Sequence, residues 1–449
     1  MRIGIAAVAA RKAGGSTLIL ENLVRRLPGL ASQHTFRIYT SAPLVRRLAQ
    51  ILDIEADAGT GRSSNPVDDR VVVTHTKERA DPIKHQNVEL VPVELGSGLD
   101  RLVWDQVVYP KELRKWRADI SVNALGFGPA VLGVPQVTFL QDSTYFCDWR
   151  GFQRTLSERL RIAAMRQLLL AVMKRSCKVV VPSEALRDAV DRATKSKLGE
   201  RLIVLRDAFE LSEVESALGG SPNRELAKDE SRRRPFRILY LSHLESHKAH
   251  SMLPVIARHL KDRLPAVAVP TDASGIAPPP PSSDGKEPDP VGVVGAFEIV
   301  VAIDREDNPR LYDAFVCEIE RQQVADCFEI HPRLPRAKVM ELLADADAFL
   351  FPSLCESFGY PLVEAGSAGL PVVAADTPIN REMLGPNALY FPPLRAEIAA
   401  ERLGRLILDP SLRDSCADGI GRHQRRILIG WDEYTRRLVE ILEEAKAVC

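Results

Sequence analysis

Two glutamates and one glycine have the types and spacing of a binding site for a phosphorylated ligand rich in hydroxyls. Glu356, Gly359 and Glu364 lie in the stretch PSLCESFGYPLVEAG. A carboxylate accepts two hydrogen bonds side by side, so each glutamate can bind a pair of neighbouring hydroxyls. Gly359 lacks a Cβ and lets the backbone approach a ligand, and the N–H groups of a helix start attract phosphate. The alternative is that Glu364 complements a helix dipole and Glu356 is a solvated loop acid.

The residues around this site predict a strand, a loop, a helix and a second strand. An apolar run ends at Phe351, Pro361 suits the first turn of a helix, and another apolar run spans 371–375. This pattern predicts a βαβ crossover. Open α/β sheets hold ligands in the crevice outside the carboxyl ends of their strands, so we expect this loop to be the candidate site.

The stretch from 349 to 385, FLFPSLCESFGYPLVEAGSAGLPVVAADTPINREMLG, resembles the donor-site signature of the family 4 retaining glycosyltransferases of the GT-B fold. The resemblance consists of two glutamates that flank a Phe-Gly-x-Pro turn. It implies that Glu356 lies near the hydroxyls of the donor sugar and that Glu364 binds the ribose. The residues implied to contact sugar and phosphate through their backbone are Phe358, Gly359 and Tyr360.

The same resemblance implies roles for residues near the start of the chain. A predicted strand over 3–10 and a predicted helix over 16–27 flank Gly14 and Gly15, where the family has a glycine loop facing the donor diphosphate. These glycines are candidate donor contacts, and a plain turn is the alternative. The predicted strand over 137–140 ends in Gln141 and Asp142.

At that strand end the family often has His-Asp directed at the sugar and the reaction centre. Glutamine in the histidine place retains hydrogen bonding but cannot transfer a proton. Gln141 and Asp142 are therefore candidate catalytic residues by resemblance. The alternative is a polar pair that faces water.

The loop after the predicted strand 236–242 is expected to neutralise the donor diphosphate. The family usually has an arginine and a lysine there; Lys248 matches the lysine, and His243 occupies the arginine place. One firm cation replaces two, because a histidine near its reference pKa is mostly neutral at cytosolic pH. His243, His247 and His250 lie on one loop and lack acids at helical spacing, so we predict solvated loop histidines and no metal site.

Composition restricts the classes of partner. The 449 residues indicate two domains, and 60 acidic against 60 basic residues give no net charge that would recruit nucleic acid. Seven dispersed cysteines without CxxC spacing predict reduced thiols in a cytoplasmic protein. No window approaches the roughly 20 apolar residues of a membrane span. An arginine-rich helix predicted over 150–178 leaves peripheral membrane contact as an alternative to a solvated face.

The fold expected from the resemblance is α/β, with two Rossmann-like domains facing a cleft (GT-B). A proline-rich insert near 265–295 is predicted to be a disordered loop, because its composition cannot pack a core. The predicted boundaries are an acceptor-side domain over 1–220, a linker over 221–235, a donor-binding domain over 236–425, and a C-terminal helix over 426–449 that crosses back to the first domain.

The function implied by the resemblance is hexosyl transfer with retention of configuration, from a nucleoside diphosphate sugar to a glycan, lipid-linked or small-molecule acceptor. No cofactor and no metal are expected, and Asp345-Ala-Asp347 is interpreted as a helix end and not as a metal motif. Two alternatives remain: a sugar-nucleotide epimerase on the same fold, and a non-catalytic sugar-nucleotide sensor or scaffold. The sequence does not identify the donor base, the sugar or the acceptor.

Overall fold

The computed structural model describes residues 1–8, 15–52, 82–124, 127–130, 132–147, 155–211, 214, 234–264 and 297–449. The chain divides into two compact units. The first unit consists of Met1–Cys147, Thr155–Phe209 and Leu428–Cys449, and the second contains Glu210–Ile427. The proline-rich insert near 265–295 and most of the linker predicted over 221–235 lie outside the described residues.

The described strands of the first unit form one sheet. The strands are β1 (Arg2–Ala6), β2 (Thr35–Thr40), β3 (Ile83–His85), β4 (Val88–Pro92), β5 (Ile120–Asn123), β6 (Gln136–Phe139), β7 (Lys178–Val181) and β8 (Leu202–Val204). Their order is β3-β4-β2-β1-β5-β6-β7-β8, and only β3 runs antiparallel to its neighbour. β1, β5 and β6 are buried over nearly their whole length, as parallel strands covered on both faces require.

Helices pack around this sheet. The helices are α1 (Gly15–Leu30), α2 (Ala42–Ile51), α3 (Gly98–Val103), α4 (Tyr109–Trp116), α5 (Leu156–Arg175), α6 (Glu184–Thr194) and the C-terminal helix, numbered α14 (Trp431–Val448). A π-helical segment, Trp104–Val108, joins α3 to α4. Ser183 caps α6, since its side chain accepts a hydrogen bond from the backbone N–H of Leu186 at 3.2 Å.

The C-terminal helix completes the core of the first unit. Trp431, Tyr434 and Leu438 on α14 are buried together with Ile5 of β1 and Leu23 of α1. These contacts explain why the last 22 residues from Leu428 onward belong to this unit although they follow the second unit in sequence.

A disulfide also ties the end of α14 to the first unit. Cys177, just before β7, is bonded to Cys449, with 6.1 Å between their Cα atoms. The prediction that all cysteines are reduced thiols is therefore wrong for this pair. The sequence could not indicate the pairing, because 272 residues separate the two cysteines and only the fold brings them together.

The described strands of the second unit form a fully parallel sheet. The strands are β9 (Phe236–Leu241), β10 (Phe297–Ala302), β11 (Phe328–His331), β12 (Ala348–Phe351), β13 (Val372–Ala375) and β14 (Leu389–Phe391). Their order is β11-β10-β9-β12-β13-β14. The helices are α7 (Met252–Arg263), α8 (Pro309–Gln322), α9 (Arg336–Asp345), α10 (Tyr360–Ser367), α11 (Pro378–Leu384), α12 (Ala396–Leu408) and α13 (Pro410–Ile427).

Both sheets have the strand order of a Rossmann fold. In the first sheet the order reverses between β1 and β5, and in the second it reverses between β9 and β12. Loops that leave such neighbouring strands in opposite directions open a crevice at their carboxyl ends, which is where open α/β sheets bind ligands. The predicted pair of Rossmann-like domains is confirmed.

Candidate active site

Lys248 and Glu356 form an ion pair at the switch point of the second sheet. Lys248 follows β9 and Glu356 follows β12, and these strands are neighbours. The backbone N–H of Leu354 donates to the carbonyl of His247 at 2.9 Å, which joins the two loops. As a result Nζ of Lys248 lies 2.6 Å from Oε1 of Glu356, with the side chains only 16% and 9% exposed.

This ion pair leaves capacity for a ligand at both ends. An ammonium has three N–H donors, and a carboxylate has about four lone-pair positions. One donor of Lys248 and one acceptor position of Glu356 are used in their mutual bond. The remaining donors can bind phosphate oxygens, and the remaining lone pairs can accept from hydroxyls.

A hydrogen bond from an aromatic side chain of β9 fixes the loop that carries Lys248. The hydroxyl of Tyr240 on β9 donates to the backbone carbonyl of Lys248 at 2.6 Å. His250 packs against the Tyr240 ring at 4.9 Å between centroids, and burial lowers the pKa of His250 to about 3. His247 and His250 are 6% and 5% exposed. The prediction of solvated histidines is therefore wrong for these two, because the tight turn after β9 directs them inward.

His243, in the place of the family's arginine, has an acidic neighbour. Its ring is 55% exposed, and Nδ1 lies 3.6 Å from Oδ2 of Asp307. Asp307 also forms an ion pair with Arg333, which follows β11. Sequence reasoning missed Asp307 and Arg333, because they lie on two other loops and belong to none of the sequence motifs described above.

Glu364 lies in the second turn of α10 and is paired with Arg336. Its side chain is 13% exposed, and Arg336, the first residue of α9, forms an ion pair with it. Burial raises the pKa of Glu364, and the charge of Arg336 opposes that rise. Neither glutamate is therefore a solvated surface acid. Sequence reasoning missed Arg336, which carries no signal beyond its position at a predicted helix start.

Gly359 provides the turn between Glu356 and α10. Its φ is +86° and its ψ is 54°, which is the left-handed region that favours glycine. A Cβ at this position would lie 3.4 Å from Cδ1 of Leu362. Phe358 is buried, and its ring meets the ring of Tyr360 edge to face at 5.0 Å. The turn is thus fixed by backbone conformation and by aromatic packing.

Asp345 and Asp347 have structural partners. Asp347 forms hydrogen bonds with the guanidinium of Arg234 at 2.7 and 3.0 Å, and Arg237 forms an ion pair with Asp345. Over the ranges that the structure describes, no cluster of three or more His, Cys, Asp or Glu side chains is arranged to hold a metal ion.

The candidates in the first unit have separate environments. Gly15 is the first residue of α1, and Gly14 lies outside the described residues. Asp142 accepts from the backbone N–H of Thr144 at 2.8 Å and so caps a short 3₁₀ turn. Gln141 donates through Nε2 to Oδ1 of Asp207 at 3.2 Å. Asp142 therefore has a structural role, while Gln141 is bound to an acid that sequence reasoning missed.

Gln141 lies beside a small apolar cavity at the switch point of the first sheet. The cavity measures about 40 Å³, enough for a few water-sized groups. Ala7 and Ala124, the residues after β1 and β5, line it together with Phe139 and Tyr434.

No described helix is long and apolar enough to cross a membrane.

Comparisons with known proteins agree with this architecture. Residues 298–420 match the model of the family "Glycosyl transferases group 1", a range that includes Glu356, Gly359 and Glu364 but not Lys248 or Gln141. Two solved structures share the fold. A glycosyltransferase from Rickettsia africae has a TM-score of 0.64 and 14% identity, and the match covers 99% of this chain and 98% of that one. Anabaena HepE in complex with UDP and glucose has a TM-score of 0.63 and 16% identity, and the match covers 99% of this chain and 100% of that one.

Curated relatives match over shorter stretches. An MMP alpha-(1->4)-mannosyltransferase of Mycolicibacterium hassiacum is 29% identical over 28% of this chain and 31% of its own length. A D-inositol 3-phosphate glycosyltransferase of Salinispora tropica is 29% identical over 48% of this chain and 39% of its own length. The chain thus spans about a third of the length of the curated relatives that it matches. The match over 298–420 marks a region of the second unit that is similar to the glycosyl transferases group 1 family, and the chain as a whole has the GT-B fold of the two solved structures.

Proposed function

We propose that the protein is a retaining glycosyltransferase of family 4 that transfers a hexose from a nucleoside diphosphate sugar without a bound metal ion. The observation that carries this proposal is the Lys248–Glu356 ion pair at the switch point of the second sheet. It joins a cation suited to a diphosphate and a carboxylate suited to sugar hydroxyls within one hydrogen-bond distance.

In the proposed reaction the departing phosphate accepts the proton of the acceptor hydroxyl on the same face of the sugar. The protein then needs no dedicated base, and its contribution is positioning and stabilisation of the leaving group. Lys248 neutralises charge that develops on the diphosphate. Glu356 orients Lys248 and accepts hydrogen bonds from sugar hydroxyls, and Glu364 accepts from the ribose.

The relatives support the choice of donor class. The Anabaena structure contains UDP and glucose, and the curated relatives are named as glycosyltransferases. We infer that this chain takes a nucleotide sugar of the same chemical class, with a glycan, a lipid-linked or a small hydroxylated acceptor. We further propose that it acts in the cytoplasm, either free or at a membrane surface.

The test is an assay of UDP, GDP and ADP sugars with a panel of acceptors, read by mass spectrometry. A product with the sugar attached and the donor configuration retained by NMR supports the proposal, and its rate should not change in excess EDTA. Isomerised sugar or free nucleotide formed without acceptor would indicate the epimerase instead. An inverted product or dependence on a divalent metal would overturn the corresponding part of the proposal.

A non-catalytic sensor is the second candidate, and one observation favours it. His243 stands where the family has an arginine, and Nδ1 of its ring lies 3.6 Å from Oδ2 of the acidic Asp307. With less positive charge at the diphosphate, the leaving group is stabilised less in the transition state. A donor can then bind in the ground state without being turned over. Tight binding of a donor in calorimetry, without turnover across the acceptor panel, would establish this candidate.

A further inference from the structure

Asp207 is a buried carboxyl group that the proposed reaction does not use. It follows β8 and is 1% exposed. Its hydrogen-bond partner is an amide: Nε2 of Gln141, which follows β6, donates to Oδ1 at 3.2 Å. Both strands end at the carboxyl edge of the first sheet, so the two side chains meet where this sheet would receive a ligand.

The surroundings of Asp207 contain little charge. Burial raises the pKa of Asp207 to about 7, and the hydrogen bond from Gln141 opposes the rise. The titratable group that faces it from α14 is the phenol of Tyr434, whose own pKa is held well above its ordinary value by burial. Tyr434 is therefore neutral throughout the physiological range, and Asp207 is the group in this cluster that changes charge.

The amide of Gln141 connects this buried acid to a cavity. Gln141 lines the cavity between β1, β5 and α14, whereas the rest of the lining is apolar except for Tyr434. The amide oxygen Oε1 takes no part in the bond to Asp207. An amide with one end fixed by a buried partner presents its other end in a defined direction.

We propose that Asp207 is a positioning residue that sets which end of the Gln141 amide faces a hydroxyl of the bound substrate. The inference rests on the proposed function, because Gln141 is a candidate contact only if a sugar binds at this edge. Asp207 would act through Gln141 and would not touch the substrate itself.

The chemistry follows from which groups donate and which accept. An ionised carboxylate only accepts hydrogen bonds, so it holds Nε2 of Gln141 and turns Oε1 toward the substrate, where it accepts from a hydroxyl. A protonated Asp207 can donate its O–H to Oε1. A half turn of the amide then satisfies this bond and directs Nε2 toward the substrate, which replaces an acceptor by a donor.

This arrangement makes substrate recognition depend on pH near neutrality. The orientation present in the structure, with Nε2 on Asp207, is the one that the ionised carboxylate requires. We expect kcat/KM to rise about threefold to tenfold through an inflection near pH 7 as Asp207 loses its proton. Asp207→Asn cannot titrate, so its kcat/KM should be flat between pH 6 and 8.

The matched control is Asp105→Asn in the same unit. Asp105 is also a buried acid, burial raises its pKa to about 6, and its partner is Arg101 rather than Gln141. The Asp105→Asn enzyme should keep the inflection near pH 7. An inflection that persists in Asp207→Asn, or a flat profile in the wild type, overturns the inference while turnover by the wild type leaves the proposed function intact.

A second measurement does not depend on turnover. With ¹⁵N-labelled glutamine, the side-chain amide signals of Gln141, assigned by their loss in Gln141→Leu, should shift with a midpoint near pH 7. That shift should be absent in Asp207→Asn. If no donor is turned over but the shift is present, the proposed function fails and the coupling of the two side chains stands; a pH-independent signal overturns the coupling.

The source of the hydroxyl is distinguished by binding experiments. A pH-dependent Kd for the donor in the absence of acceptor assigns the contact to the donor sugar. A pH-independent donor Kd combined with a pH-dependent acceptor KM assigns it to the acceptor. Both results support the positioning role, and pH independence of both constants contradicts it.

Discussion

At the carboxyl end of the second sheet Glu356 forms an ion pair with a lysine, whereas at the carboxyl end of the first sheet Asp207 accepts a hydrogen bond from the neutral amide of Gln141. Both sheets have the same strand order around their switch points. The ammonium of Lys248 offsets part of the cost of burying the Glu356 side chain, whereas burial beside a neutral partner raises the pKa of Asp207 to about 7. The same topology therefore supports two kinds of site, and the partner of the buried acid determines which one forms.

The linings of the two sites also differ in polarity, the second unit's site being the more charged. Lys248 and Glu356 belong to loops that are joined by a backbone hydrogen bond. At the edge of the first sheet lies a cavity with a mostly apolar lining, in which Gln141 and Tyr434 are the polar side chains. These linings support the proposal that the second unit binds the charged diphosphate and that the first unit recognises a hydroxyl beside apolar surface.

The comparison predicts the largest effect for the charged pair. Lys248→Ala should lower kcat by about a hundredfold, equal to about 2.7 kcal/mol of barrier, because one cation of the leaving-group site is lost. Glu356→Ala should lower it by at least tenfold, since the truncation also frees the Lys248 side chain. Steady-state rates at saturating donor measure both effects.

The control for this prediction is Lys261→Ala. Lys261 is 41% exposed and forms an ion pair with Asp326 on the surface of the same unit. Its loss should leave kcat within a factor of two. Equal rates for Lys248→Ala and wild type would remove the basis of the charged site.

Local and non-local features differed in how far the sequence revealed them. Glu356, Gly359 and Glu364 lie on one strand-loop-helix segment, so spacing and turn chemistry predicted their common neighbourhood. The bond between Gln141 and Asp207 joins residues 66 positions apart, and the pair Arg336–Glu364 spans 28. Such partners depend on which loops leave adjacent strands. The burial of His247 and His250 likewise depends on packing that no residue pattern of the loop contains.

The second prediction concerns the stability of the first unit. The folded pKa of Asp207, about 7, exceeds its unfolded value, so between pH 4 and 7 the folded state holds a proton that the unfolded chain has released. Stability therefore falls as pH rises through this window. Asp207→Asn should remove the fall and be more stable than wild type at pH 8 by up to about 4 kcal/mol, the equivalent of about three pKa units, measured by denaturant unfolding.

Asp119→Asn supplies a control of opposite sign. The backbone N–H of Arg2 donates to Asp119 and lowers the pKa of this carboxyl, so its contribution to stability is lost as pH falls. This variant should lose stability at pH 8 and approach wild type in acid. A wild-type fall in stability from pH 4 to 7 that survives in Asp207→Asn would show that Asp207 does not titrate there.

The third prediction concerns the backbone conformation of the turn at Gly359 in the second unit. Gly359→Ala places a Cβ at a φ of +86°, which should cost about 1–2 kcal/mol of unfolding free energy. Gly29→Ala in α1 is the matched variant, because a Cβ there meets nothing within 4 Å. It should be neutral or stabilising by up to about 1 kcal/mol. Equal stability of the two variants would contradict the strained turn.

The smallest expected effect concerns the partner of Glu364. Arg336 opposes the rise in the pKa of Glu364 that burial causes, so Arg336→Ala should raise that pKa further and protonate more of the carboxyl. A protonated carboxyl accepts fewer hydrogen bonds from ribose hydroxyls. Donor KM should rise about threefold at pH 7, equal to about 0.65 kcal/mol, and more at pH 6, with kcat unchanged.

The double variant decides whether Arg336 acts through Glu364. Glu364→Gln has no charge for Arg336 to stabilise, so Arg336→Ala should add nothing to the donor KM of Glu364→Gln. Arg305→Ala, which removes an exposed arginine paired with Asp313, is the control and should leave KM unchanged. Additive effects of the two substitutions would mean that Arg336 contacts the donor independently, and the second unit would then hold its nucleotide with an additional cation.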